Sequence, residues 1–110
     1  MLDKVAGQLE RYMDLLSERQ RLVASNVANA DTPGYHTRDI DFADEFRHAA
    51  AGPAEVLQVG GLAAKNDGNN VSLDRESRLL SENALRFQAA EGMLKSRIAI
   101  LRSAIKEGQS

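Results

Sequence analysis

A helix that begins near the N-terminus cannot pass Pro33-Gly34, and that stop divides the chain into its parts. Pro33 has no N–H and its ring would clash with a helical carbonyl one turn back. It also pushes Thr32 out of the helical region. Gly34 accepts a positive φ, so Pro33-Gly34 fits the centre of a type II turn. Asn29 and Asp31 are short polar side chains that favour helix ends and turns. Upstream of the stop, residues 3–30 read as one helix with a stripe at Leu2, Val5, Leu9, Tyr12, Leu16, Val23, Val27 and Ala30. Gln20 fills the gap between Leu16 and Val23 in this near-heptad spacing. Lys4, Gln8, Arg11, Glu18 and Arg21 fall on the opposite face. At ~1.5 Å per residue the helix is roughly 40 Å long.

Downstream, Thr37 to Phe42 alternates, with Ile40 and Phe42 on one side and Asp39 and Asp41 on the other. This predicts a short extended segment. Ala43 to Ala51 reads as a short helix ended by Gly52-Pro53. From Pro53 to Asn70 the apolar residues hold no period, and Gly60-Gly61 and the Asn66–Asn70 run are loop formers. This predicts a loosely structured, mobile middle, with Asp67-Gly68 an alternative hairpin turn. The last helix starts near Ser72 or Asp74 and runs to about Lys106. Ser72 is suited to cap it, and Asp74 and Glu76 suit the positive end of its dipole. Its stripe is Leu80, Ala84, Phe87, Glu91, Leu94, Ile98, Leu101 and Ile105.

Two long stripes at opposite ends of 110 residues predict an all-α fold. The terminal helices pair as an antiparallel coiled-coil hairpin, with a loosely structured middle segment. Residues 1–32 and 72–110 form one discontinuous helical core. Residues 33–71 supply a turn, a short extended segment and a flexible region. Such a hairpin leaves much apolar surface wet, and chains of this size have little stability to spare. The surplus points to burial against other molecules.

Chemistry is nearly absent from the sequence. With no Cys, neither a disulfide framework nor a thiolate metal site can form. A net charge of −2 gives no global basic footprint for nucleic acid. The middle, residues 31–70, is the acidic part at net −4, between a neutral first helix and a last stretch at net +2. Asp39, Asp41, Asp44 and Glu45 read as a solvated acidic patch, without the loop spacing of an EF-hand. His36 and His48 read as solvated. No run of about 18 apolar residues suggests a membrane span. Met1-Leu2-Asp3-Lys4 does not open a cleavable secretory signal. The sequence assigns no catalytic, cofactor-binding or metal-ligating residue. Asn26, Asn29, Asn83 and Gln88 have two readings. Either the first pair caps a helix and the second is exposed surface, or the amides bond between subunits and fix register.

The wording Asn26-Val27-Ala28-Asn29-Ala30-Asp31-Thr32-Pro33-Gly34-Tyr35, followed by Arg38-Asp39-Ile40-Asp41-Phe42, resembles the N-terminal signature of bacterial flagellar rod and hook proteins. A second match runs from Gly68-Asn69-Asn70-Val71-Ser72-Leu73-Asp74-Arg75-Glu76 on through Leu80 to Ala90. Within that family the Arg-Asp-x-Asp-Phe continuation is most like the proximal rod proteins. Ser72 stands where Asp is commoner, Phe87 where Tyr is commoner, and the middle is short.

The resemblance implies a structural rod subunit of the flagellar basal body. Its paired terminal helices would pack into the inner tube around the export channel. It would leave the cell uncleaved through the flagellar type III export apparatus and reside in the periplasmic rod. The implied partners are further copies of itself, the rod protein FlgC, the adaptor FliE and the membrane ring protein FliF, with no nucleic acid and no direct membrane insertion. The residues expected to carry assembly and the signature are Asn26, Asn29, Thr32, Pro33, Gly34, Tyr35, Asp39, Asp41, Phe42, Asn83, Gln88, Leu94, Ile98, Leu101 and Ile105. The alternatives are another rod protein such as FlgC, or a soluble helical adaptor or export chaperone.

Overall fold

A computed structural model describes residues 2–48 and 52–108. The element order is α1 (Leu2–Ala28), β1 (Arg38–Asp39), α2 (Phe42–His48), β2 (Leu57–Gln58) and α3 (Leu73–Gly108). The expected side-chain role of Leu2, and the end of the short helix expected up to Ala51, lie outside the described residues.

The two long helices pair antiparallel: Asn26 of α1 meets Glu76 of α3, and Gln20 meets Asn83. Carrying that register down the pair brings the start of α1 level with Ile100. α3 has 36 residues against 27 for α1, so its last two turns, about 12 Å, run on alone. The molecule is a rod of 70 × 24 × 17 Å. Among the described residues, no helix is long and apolar enough to cross a membrane.

α1 buries two faces. Leu16 and Val23, buried on the side of Gln20, belong to the expected stripe. Leu15 and Leu22 belong to a second line that the stripe missed. Leu15 packs in a small core with Ile40 and Ala54, joined by Leu22 and Phe42. Tyr12 meets Phe42 and Phe46 edge-on, with centroids 5.2 and 5.5 Å away. Arg11 and Glu18, expected on the open face, instead hold the middle segment. Arg11 Nη1 donates to Gly52 O at 2.9 Å, and Ala54 N donates to Glu18 Oε2 at 3.1 Å. Val27, placed in the stripe by its spacing, is 47% exposed. Asn26 takes the inward position one residue earlier.

α3 shows the same kind of displacement. Its inward line runs Glu76, Leu79, Asn83, Phe87, Ala90, Leu94, Arg97, Leu101, in steps of three and four. The expected stripe shares Phe87, Leu94 and Leu101 with this line. Its other members Leu80, Ala84, Ile98 and Ile105 are exposed. Glu91, read as the stripe's one polar member, lies beside buried Ala90. It pairs with Lys95 at 2.9 Å and holds that ammonium above its ordinary pKa by hydrogen bond and charge. Pattern reading chose the more apolar of two adjacent lines. The line that faces α1 contains Glu76 and Asn83, which polarity alone would put outside.

The middle is irregular, with two short strands paired antiparallel as Arg38↔Gln58 and Asp39↔Leu57. The expected extended segment is cut to those two residues of β1, because Asp41 turns the chain into α2. Its Oδ1 accepts Asp44 N at 3.1 Å, which caps α2 and puts Phe42 in the helix. Replacing Leu15, fully buried, by Ala should lower the unfolding free energy by about 2–5 kcal/mol. Leu85→Ala, at a side chain 68% exposed, should change it by less than about 0.5 kcal/mol. Urea denaturation of both variants checks this.

Candidate functional site

The two signature stretches, far apart in sequence, fold onto each other at one end of the helical pair. The turn forms first from local chemistry. Tyr35 N donates to Thr32 O at 3.2 Å across Pro33-Gly34, and Gly34 has φ +74°, the geometry of a type II turn. Gly34 N then donates to Asp67 O at 2.8 Å. Gly68, at φ +86°, comes so near that a Cβ on it would stand 3.5 Å from Gly34 Cα. Both positions need the left-handed region that glycine enters freely. The turn expected at Asp67-Gly68 is centred one residue earlier, on Asn66-Asp67, closed by Gly68 N to Lys65 O at 2.9 Å and braced by Lys65 N to Asn69 O at 2.8 Å, with no strands flanking it among the described residues.

A helix end leaves carbonyls without partners, and here side chains supply them. Asn29 Nδ2 donates to Ser25 O at 2.9 Å, and its Oδ1 accepts from Thr32 Oγ1 at 3.0 Å. Asn69, 1% exposed, donates from Nδ2 to Asn29 O and Thr32 O, both at 2.8 Å. Lys65 Nζ reaches Ala30 O at 3.2 Å. Asn70 Oδ1 accepts Thr37 N, and Thr37 Oγ1 donates to Asn70 O. Ser72 caps α3, its Oγ accepting Arg75 N at 3.2 Å.

Asn26, fully buried, sits at the centre. Its Nδ2 donates to Arg38 O at 2.9 Å and to Glu76 Oε1 at 2.8 Å. Its Oδ1 accepts from Arg38 N at 3.1 Å and Tyr35 OH at 3.0 Å. The amide therefore pairs with Arg38 as a neighbouring strand would, while touching α3. Around it lies an ionic cluster. Arg19 grips Asp39 through Nε and Nη2, at 3.0 and 2.9 Å. Arg75 Nη2 binds the same carboxylate at 2.6 Å and its Nη1 binds Glu76 at 2.9 Å. Two acids and two guanidiniums balance, in the forked geometry that suits arginine.

This corrects the solvated acidic patch. Asp39 is 7% exposed and belongs to the cluster. Asp41 is exposed and caps α2; Asp44 and Glu45 are half-buried on α2. Asp39 and Ile40, neighbours in sequence, are both buried, so the expected alternation fails where Arg19 and Arg75 approach. His36 and His48 are exposed.

The structure brings Asn26, Asn29, Thr32, Pro33, Gly34, Tyr35 and Asp39 together in the junction, with Asp41 and Phe42 at its edge. Asn83 and Gln88 are elsewhere on α3. Gln88 is exposed. Asn83 is neither a cap nor surface: it is 3% exposed and donates to Gln20 Oε1 at 3.1 Å. Leu94, Ile98, Leu101 and Ile105 lie further toward the C-terminal end. Arg19, Arg75, Glu76 and Asn69 are the junction residues that residue-type reasoning left unassigned. Helical spacing held the signal for Arg19, which falls inside the apolar span of α1 between Leu15 and Val23.

A family model described as flagella basal body rod protein matches residues 13–36, the second half of α1 and the turn. The chain is 31% identical to a flagellar basal body rod protein FlgB of Yersinia enterocolitica, over 98% of this chain and all of that one. It is 31% identical to the FlgB of Escherichia coli K12, covering 94% and 99% of the two chains. It is 39% identical to that of Cereibacter sphaeroides, covering 84% and 86%.

The cluster predicts opposite outcomes for two aspartates. Asp39→Asn leaves Arg19 without its counter-charge and Arg75 with Glu76 alone, and should cost about 3–5 kcal/mol. Asp41→Asn keeps an equally good cap and should change stability by less than about 0.5 kcal/mol. Chemical denaturation of both variants at neutral pH separates them.

Proposed function

The chain belongs to the FlgB family of flagellar basal body rod proteins and is a structural subunit of that rod; from this we propose that it builds the proximal rod, assembling through its terminal helices around the export channel. It reaches the periplasmic rod through the flagellar export apparatus without losing a signal peptide. There it meets further copies of itself, the rod protein FlgC, the adaptor FliE and the membrane ring protein FliF. It acts as a building element and performs no catalysis. The family relationship disfavours the soluble adaptor or chaperone.

One observation supports the assembly role best. α3 turns one face to α1 and leaves apolar side chains uncovered on both sides of it: Leu80, Ile98 and Ile105 along one side, between 39% and 54% exposed, and Leu85, Met93 and Ile100 round the other, between 54% and 68%. Exposed apolar rows along a helix mark surfaces that meet other molecules. The intramolecular junction holds α1 and α3 in fixed register, so the uncovered face reaches neighbours with a defined shape.

Ile98→Asp combined with Ile105→Asp should leave the helical pair intact, since neither side chain is buried in it. The same variant should be absent from purified basal bodies, because its charges would be buried without partners on assembly. Circular dichroism and basal-body fractionation check both halves. Normal rod incorporation would remove this face from the assembly.

A further inference from the structure

A groove runs along one side of the helical pair, lined by Ser17, Gln20, Ala24, Asn83, Phe87 and Gln88. Small side chains keep it open enough for a helix to approach closely. At its floor the Asn83 Oδ1 is buried and has no hydrogen-bond partner, although the Asn83 amide nitrogen is bound to Gln20. A buried acceptor left unmade is costly, and native structures rarely keep one without a use. The groove therefore lacks a donor.

The same chain carries a helix end that fits. The last turns of α3 extend beyond the start of α1, with Ile98 and Ile105 uncovered on one face and exposed Arg102 between them. A shift of 18 residues along α3 turns Leu80, Ala84 and Phe87 into Ile98, Arg102 and Ile105. This is the spacing of the groove wall itself. We infer that the groove of one copy seats the C-terminal end of α3 from a second copy, parallel to its own α3, with Arg102 donating to Asn83 Oδ1. The inference rests on the rod-subunit reading and names the contact that would carry it.

The register makes the other contacts follow. Ile98 of the incoming helix comes beside Leu80, which is 48% exposed. Ile105 comes beside Phe87. Lys106 comes level with Gln88 and, across the pair, with exposed Asp14 of α1. Residues 96–108 carry Arg97, Arg102 and Lys106 against the single acid Glu107, while the exposed line of α1 beside the groove carries Glu10 and Asp14 and, further along, Arg21. The charges are complementary at the end of the groove where Lys106 meets Asp14. Arg21, on the rim, is exposed and long enough to turn into solvent. The contact uses two different patches of the chain, so it repeats head to tail and does not close. Successive copies would be displaced by about 27 Å along the helix axis.

The chain has no cysteine, so Gln88→Cys and Lys106→Cys each introduce one thiol at an exposed position. Oxidation of an equal mixture under assembling conditions should give a disulfide between the two chains. Leu85→Cys mixed with Lys106→Cys should give none, because Leu85 lies off the groove. One chain carrying both Gln88→Cys and Lys106→Cys should give a ladder of covalent multimers. Its own two thiols sit about 27 Å apart on one helix, too far to bridge. Arg102→Glu should raise the concentration for half-assembly by about tenfold or more, and Arg102→Lys should not. Open-ended assembly without the 88–106 bond, or equal cross-linking from Leu85→Cys, would overturn this seating and leave the rod-subunit reading intact. A closed dimer from the doubly substituted chain would overturn the head-to-tail arrangement. A chain that stays monomeric at every concentration would overturn both.

Discussion

A buried side-chain amide has four hydrogen bonds to make, two given and two received, and Asn26 makes all four inside one turn of space. Its partners come from Tyr35, from both backbone groups of Arg38, and from Glu76. Those contacts fix three things at once: where α1 ends, how the chain leaves it, and how α3 is set against it. An aliphatic residue at this position could fill the volume, but it would strand the Arg38 backbone groups and leave Glu76 Oε1 to Arg75 alone. The register of the helical pair and the course of the chain after the turn therefore depend on one amide. The Asp39–Arg75–Glu76 chain of ion pairs spreads the same constraint to β1 and the start of α3.

The polarity of α3 is inverted in places relative to an isolated globular helix. It buries Glu76 and Asn83 and exposes Leu80, Leu85, Ile98 and Ile105. Buried polar groups and exposed apolar patches are the informative exceptions to ordinary burial. Here they divide the labour. Polar contacts hold the subunit's own register, where direction and distance must be specified. Apolar contacts are kept for neighbours, where area matters more. A rod subunit needs both, since a helix free to slide against its partner could not present a regular surface along a filament.

Much of this was legible in the sequence. The helix stop at Pro33-Gly34, the two long terminal helices and the cap at Ser72 follow from local chemistry, and the structure has all of them. The signature stretches were recognisable as well, though not that they meet. Long-range pairing between Asn26 and Glu76, or between Arg19 and Asp39, leaves no local trace in spacing or propensity. Parts of the inward lines of both helices were missed by one residue for a related reason. Periodicity weighs apolar residues, so it selected Val27 over Asn26 and Leu80 over Leu79, and left Asn83 either as surface or as a contact between subunits. The apolar pattern of α3 mixes residues that face α1 with uncovered ones on either side of them, and hydropathy cannot tell them apart.

The central claim is that the junction makes residues 34–71 part of the same folded unit as the helices, although their secondary structure is sparse. Native-state hydrogen exchange tests it directly. The amides of Gly34, Thr37, Arg38 and Val71 donate to Asp67, Asn70, Asn26 and Asn69. They should exchange as slowly as the α1 amides around Asn26 and open together with them. Exchange of these four at the rate of unstructured chain, with α1 still protected, would contradict the account.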